Sequence, residues 1–244
     1  GKKISSAKDN GAVWAIAQNQ RSDVAALDAV TDSLNRGRSS LDVAMSAGEA
    51  VSDLLNQMKA KALAASDVTL DPISRGALNE EFKSLRDQIA KTVSNANFNG
   101  TNLLKTAATS LYALADATGA SKLTAQAQIM GLGAAGSVVT IAATASFNTA
   151  TTAAAMLAAL GASIVNVNSA VARLGTMSKA FDQHATFVAK LVDTMVAGIG
   201  NLVDADVAKE SATLQALQTK QQLGIQALAI ANQAPQSVLT LFKQ

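Results

Sequence analysis

The sequence has 244 residues, a formal net charge of +2, no cysteine, one histidine, one tryptophan and one tyrosine. This excludes a disulfide framework, a thiolate metal site and a metal centre built on two or three histidines, and it leaves little material for acid–base catalysis. The 20 bases and 18 acids nearly cancel without a basic cluster, and aromatics make up only 3% of the residues, so neither a nucleic-acid surface nor a stacking platform is expected. No uninterrupted apolar run reaches the ~20 residues of a membrane span. The nearest, residues 150–171, is broken by Thr151, Thr152, Asn166, Asn168 and Ser169. The opening Gly1-Lys2-Lys3-Ile4 has no apolar segment behind its lysines and no initiator Met, so the chain is expected to be processed or trimmed at its front. An alanine-rich, small-residue chain with these exclusions suits long, closely packed helices.

In chain order, the first helix is predicted over residues 10–35, with Val13, Ala17, Val24, Leu27 and Leu34 on one face. A second is predicted to open at Ser39 or Ser40 as N-cap and to carry Leu41, Ala44, Gly48, Val51, Leu55, Met58 and Ala62 at alternating spacings of three and four. Asp71-Pro72 reads as N-cap followed by proline at the first helical position. It opens a helix whose stripe is Leu78, Phe82, Leu85, Ile89 and Val93, stopped by the turn residues Asn97-Phe98-Asn99-Gly100.

Residues 105–159 differ in character. Between residues 106 and 172 the only charges are Asp116 and Lys122. Residues 123–128 and 138–142 are the plausible strands, and the region reads as a small insertion with one or two short β-hairpins.

The next helix has the strongest periodicity. Leu160, Ile164, Val167, Val171, Leu174, Ser178, Phe181, Ala185, Val188, Val192, Met195 and Ile199 keep the three–four alternation without a slip. Such a 3.5-residue repeat implies a left-handed supercoil against long partner helices. The phase changes at Gly200 and around Asp204-Ala205-Asp206, where Asp206 is expected to cap a closing helix and Asp204 to lie in the linker. In that helix Leu214, Leu217, Leu223, Ile225, Leu228, Ile230, Val238, Leu239, Leu241 and Phe242 fall on several faces with glutamines between them. A helix apolar on many faces requires something to bury it, either other copies or a preceding helix that this sequence lacks.

The predicted fold is therefore mainly α, an elongated antiparallel coiled-coil-like helical bundle with a small β-containing insertion. Residues 1–104 form the N-terminal half of the rod, 105–159 the variable outer insertion, 160–200 the C-terminal half of the rod, and 201–244 the terminal helix.

Four segments in this order resemble bacterial flagellin, of the alphaproteobacterial type. They are Lys3-Ile4-Ser5-Ser6-Ala7-Lys8-Asp9-Asn10, the Asn97-Phe98-Asn99-Gly100 turn with Leu103-Leu104, the run Leu202-Val203-Asp204-Ala205-Asp206 with Ala208-Lys209-Glu210, and the closing Ala231-Asn232-Gln233-Ala234-Pro235-Gln236-Ser237-Val238-Leu239 with Leu241-Phe242. The resemblance implies a secreted structural subunit that assembles with copies of itself into the flagellar filament for motility. It implies no enzymatic activity and no cofactor. It also implies an export chaperone and cap or junction proteins as partners, and an extracellular location on the flagellum or cell surface. The family's long first helix, which pairs with the closing helix, is absent from this sequence. On this reading Asp204, Asp206, Leu214, Leu217, Leu228, Asn232, Gln233, Pro235, Leu239 and Leu241 serve assembly, while Leu41, Val51, Leu55, Leu78, Phe82, Leu85, Ile89, Ile164, Val171, Leu174, Phe181, Val188 and Met195 form the rod core. The alternatives are a hook–filament junction protein or a cell-surface homologue that binds acidic polysaccharide.

The remaining candidates have plainer explanations. His184, between Phe181 and Phe187, reads as a seam-flank histidine, and Trp14 as a bundle anchor. Gly131, Gly133 and Gly136 spell a dinucleotide-like pattern without its strand or its acidic partner. Arg36, Arg38, Lys59 and Lys61 are basic pairs on a solvated helix face, and the same four residues are the contact set for an acidic polysaccharide.

Overall fold

The structure, a computed structural model, describes the backbone of residues 1–241 and the side chains of residues 1–231. Four helices account for most of it: α1 (Gly11–Ala65), α2 (Pro72–Asn95), α3 (Ala150–Val203) and α4 (Val207–Leu241). The described residues hold one two-stranded sheet, β1 (Leu111–Leu114) and β2 (Lys122–Ala125), paired antiparallel with Leu111 opposite Ala125 and Leu114 opposite Lys122. The chain divides into two compact units, Asp23–Thr194 and the pair Gly1–Ser22 with Met195–Gln244.

In the larger unit, α1 and α3 run antiparallel in a fixed register. Arg38 pairs with Asp182 at 2.9 Å, the Ser178 hydroxyl donates to Asp42 at 3.4 Å, and the Ser52 hydroxyl donates to Asn168 at 2.7 Å. Gly37 faces Phe181 and Gly48 faces Val171. In every pair the two residue numbers sum to 218–220. From Leu27 onward the inward positions of α1 are Leu27, Val30, Leu34, Gly37, Leu41, Ala44, Gly48, Val51, Leu55, Met58, Ala62 and Ala65, an unbroken three–four alternation. This includes the predicted core residues Leu41, Val51 and Leu55, each fully buried.

Several expectations are corrected. The first two predicted helices are one. Ser39 and Ser40 cap nothing, and their hydroxyls bond back to the Asn35 and Arg36 carbonyls within the continuous helix. No proline interrupts residues 35–40, and Gly37 is kept at a helix cost of about 1 kcal/mol because the Phe181 ring occupies the space a side chain would take. Helix α3 starts at Ala150, about three turns before Leu160, where the hydroxyls of Thr149 and Thr152 cap its first turn.

The seam of α3 also shifts. Ser163 and Ala170 are buried, whereas Ile164 and Val171 are only half-buried, and the inward positions step 170–174–178 before the three–four alternation resumes at Phe181. Two successive steps of four locally unwind the supercoil, so the repeat does slip once. Leu174, Phe181 and Val188 are buried as expected, and Met195 is half-buried. In α2 the inward positions are Arg75, Asn79, Phe82, Ile89 and Val93, so Leu78 and Leu85 lie half-buried beside the seam instead of in it. By length and composition α3 is apolar enough to cross a membrane, contrary to the sequence reading. Its apolar seam is instead packed on α1 in this bundle.

Capping explains the boundaries of α2. Asp71 accepts from the N–H groups of Ile73 and Ser74 at 2.9 and 3.0 Å, with Pro72 behind it, as expected from the sequence. The stop is a two-residue turn in which Phe98 and Thr101 exchange both backbone hydrogen bonds. Its centre, Asn99 (φ 48°) and Gly100 (φ 81°), has the two positive φ angles of a type I′ turn. Asn102 then donates to the Val93 carbonyl and accepts from the N–H groups of Leu104 and Lys105, closing the end of α2.

Residues 105–149 contain a single hairpin. Residues 138–142 form no strand, although Val139 and Ile141 are buried, and β1 was not anticipated. This segment lies lengthwise along the α1–α3 pair, as its anchors show. The β1 N–H of Leu114 donates to Ser33, Arg173 donates to Gln128, and Thr140 bonds Ser163. Phe147 stacks edge-on against Phe82 at 5.0 Å.

Candidate self-assembly surfaces

Asp206 opens α4 by accepting from the N–H groups of Ala208 and Lys209 at 3.0 and 3.2 Å, while Asp204 sits in the preceding link. From Asp206 to Ala231 every residue is exposed. Leu214, Leu217 and Leu228 expose 58, 57 and 64% of their surface, and Leu223, Ile225 and Ile230 are no better covered. Leu214, Leu217, Gln221, Gly224 and Leu228 follow the three–four alternation, while Leu223 and Ile230 lie on another face. Completing the burial of each large side chain is worth about 1–2 kcal/mol. Asn232, Gln233, Pro235, Leu239 and Leu241 lie outside the residues whose side chains are described.

In the same unit the opening residues pair with the end of α3. Lys3 and Ile4 donate their N–H groups to the Val203 carbonyl at 2.7 and 3.1 Å, and Ala205 donates to Gly1 at 2.9 Å. Lys2 thereby lies opposite Asp204 in an antiparallel bridge. The next turn is tied by Asp9, which accepts the N–H groups of Ser5 and Ser6 and the Ser5 hydroxyl, all at 2.9 Å. These bonds hold the Asp9 carboxyl below its ordinary pKa, the Ser5 N–H contributing most. A concavity of about 690 Å³ beside the bridge is lined by residues of both charges, among them Lys3, Asp204, Asp206 and Lys209. Among the described residues no group of three or more His, Asp or Glu side chains converges as a metal would require.

In the larger unit, polar side chains at seam positions hold the backbone of residues 105–149. Asn79 accepts the Phe147 N–H at 2.8 Å, Arg86 donates to the Ala145 carbonyl at 2.9 Å, and His184 Nε2 lies 2.8 Å from the Ala115 carbonyl. A search for apolar periodicity passes over such residues. Their signal in the sequence is a polar residue spaced three or four from the apolar seam, as Asn79 is from Phe82. Arg75, nine-tenths buried, donates to the carbonyls of Ala65, Asp67 and Leu70 and so closes the C-terminal end of α1, a role the sequence reading missed.

The four basic residues considered for a polyanion do not form one patch. Arg36 and Arg38 are separated from Lys59 and Lys61 by about 32–38 Å along α1 at 1.5 Å per residue. Arg38 is paired with Asp182 and Lys61 with Glu81, leaving Arg36 and Lys59 exposed.

Comparison with known proteins matches residues 1–109 to the bacterial flagellin N-terminal helical region and residues 157–242 to the bacterial flagellin C-terminal helical region. The chain is 52% identical over 243 residues to flagellin FljM of Caulobacter vibrioides, a match that covers all of this chain and 87% of that protein. It is 35% identical over 256 residues to a flagellin of Brucella melitensis, covering all of this chain and 88% of that protein. Among solved structures, Bacillus cereus flagellin superposes with a TM-score of 0.55 at 24% identity, over 63% of this chain and 86% of that one. A putative flagellar hook-associated protein of Vibrio parahaemolyticus superposes with a TM-score of 0.66 at 15% identity, over 80% of this chain and 100% of that one. These two likenesses concern the fold alone.

Proposed function

The chain belongs to the bacterial flagellin family and is a structural subunit of the flagellar filament; from that premise we propose that α4 supplies the contacts that hold copies together. The observation that carries this is the exposure of Leu214, Leu217, Leu223, Ile225, Leu228 and Ile230 on a helix whose described residues are all exposed. A contact between different surfaces of identical copies that does not close into a ring generates a helical polymer. The unit Asp23–Thr194 has its own buried seam, whereas the described part of α4 has none, so on this reading the folding and association functions are separated along the chain.

The same reading places the subunit outside the cell and calls for an export chaperone and for cap or junction proteins during assembly. Absence of cysteine suits export of an unfolded chain, since nothing can cross-link on the way. Contact with an acidic polysaccharide would rest on Arg36 and Lys59, the two of the four candidate bases without a carboxylate partner among the described residues.

The test is Leu217→Ser with Leu228→Ser in the whole protein. The expected outcome is an unchanged thermal melt of the Asp23–Thr194 unit with loss of sedimentable filaments. Filaments of normal yield and length from that variant would refute the assignment of α4.

A further inference from the structure

We propose that the turn between α1 and α2 is a knob that seats in a groove beside the end of α2 on a neighbouring copy. The proposal rests on the filament reading and adds a second subunit contact, in the larger unit. At this turn Val68 and Ile73 expose 84 and 85% of their surface, the highest values for large apolar side chains among the described residues, and Leu63 nearby exposes 60%. A single exposed apolar residue is ordinary. Here the exposed pair sits on a turn braced against movement. Arg75 ties Ala65, Asp67 and Leu70 together, and Asp67 accepts the N–H and hydroxyl of Thr69 at 2.8 and 2.7 Å. Asp71 fixes the first turn of α2. A rigid loop that holds apolar side chains in water is already ordered for binding and loses little entropy when it docks.

The same unit carries a fitting recess. A concavity of about 370 Å³ has an apolar part, Ala90, Val93, Leu132 and Ala143, and a polar part made by Asp87, Ser94, Lys105 and Thr106. Asp87 is paired with Arg86 at 2.8 Å, whereas Lys105 is exposed and has no carboxylate partner among the described residues, which leaves one unpaired positive charge at the recess. The knob carries the complement: Val68 and Ile73 flanked by the carboxylates of Asp67 and Asp71. Knob and recess lie at opposite ends of α2. Ala90 is 18 residues beyond Pro72, about 27 Å along the helix, so a chain cannot fill its own recess. Two different, complementary patches at the two ends of one helix are what an open head-to-tail contact between copies of this chain requires.

The absence of cysteine makes a clean test available. Val68→Cys and Ala90→Cys are introduced together in the whole protein, and filaments are oxidised and run on a non-reducing gel. The expected result is a ladder of covalent multimers that neither single variant gives. A disulfide within one chain is excluded because its Cα atoms must lie within about 7 Å. Intact filaments that yield only monomer, or only the dimers of the single variants, overturn the proposal. Val68→Ser with Ile73→Ser gives a second readout. The critical concentration for filament growth should rise about tenfold or more as two apolar side chains lose their site, and an unchanged value again overturns the proposal. Failure of the filament reading itself would show differently, as no filaments from the unsubstituted protein.

Discussion

Helix α3 from Leu160 to Val188 and helix α4 from Val207 to Ile230 both carry large apolar side chains, but only α3 has a buried seam within the chain. In α3 Leu160, Val167, Leu174, Phe181 and Val188 are buried along that seam, which α1 meets in a fixed antiparallel register, while Val165 and Phe187 stay exposed off it. In α4 the large apolar side chains fall on more than one face and every described residue is exposed. A single stripe can be satisfied by one neighbouring helix, whereas several stripes need several neighbours. The pattern of apolar residues therefore separates the part of the chain that covers its own seam from the part that, on the proposed reading, holds copies together.

The largest effect that would break this contrast is in the core. Phe82 is fully buried and meets Phe147 edge-on. Phe82→Ala should cost about 3–5 kcal/mol of stability, seen as a lower midpoint in denaturant for the Asp23–Thr194 unit. The serine substitutions in α4 should leave that midpoint alone. If Phe82→Ala left the midpoint unchanged, or the α4 changes lowered it, the division between folding and assembly would not hold.

A smaller pair of changes sharpens the comparison, because one substitution should act with opposite sign in the two regions. A Cβ at Gly37 would stand 2.5 Å from Phe181 Cε1. Gly37→Ala gains about 1 kcal/mol of helix propensity and loses about 1–3 kcal/mol to overpacking, a net destabilisation of about 1 kcal/mol. A Cβ at Gly224 meets nothing within 4 Å. Gly224→Ala should therefore stabilise α4 by about 1 kcal/mol, raising helicity by circular dichroism. Equal signs at the two sites would mean that the α1–α3 seam tolerates more volume than its spacing implies.

Much of this was legible in the sequence, and the failures have a common cause. Asp71-Pro72 and Asn97–Gly100 marked α2 because caps and turns are local chemistry. The apolar faces of α4 were legible for the same reason, since they are a matter of spacing alone. Ser39 and Ser40 misled because a serine hydroxyl serves equally as a cap or as a back-bonded group inside a helix, and tertiary packing decides which. Ser163, Asn79, Arg86 and Arg75 were missed because their partners are backbone groups distant in sequence or in a turn, invisible to a search for apolar periodicity. Ile164 yields its place to Ser163 because the backbone at Thr140 comes within hydrogen-bonding distance there. The knob at Val68 and Ile73 gave no signal, since exposure is a property of the folded chain.

The smallest expected effect is in pH dependence. Asp9 in one unit and Asp67 in the other both lie below the ordinary carboxylate range, held by the Ser5 and Thr69 N–H groups first and by neighbouring hydroxyls after them. A carboxyl whose pKa is lowered by folding binds fewer protons than its unfolded counterpart, so its contribution is complete above the unfolded value near 3.9 and disappears as pH falls through the folded value. Both turns should thus be indifferent between neutral pH and about pH 5 and loosen only in stronger acid. Helix α4 has no carboxylate side chain after Glu210, so nothing along its apolar stretch titrates in that range. Asp9→Asn and Asp67→Asn should each flatten the acid limb of the melting profile and leave filament yield over the same pH range unchanged. An unaltered acid limb in both variants would mean that these carboxylates titrate alike in folded and unfolded chains, whatever their hydrogen bonds.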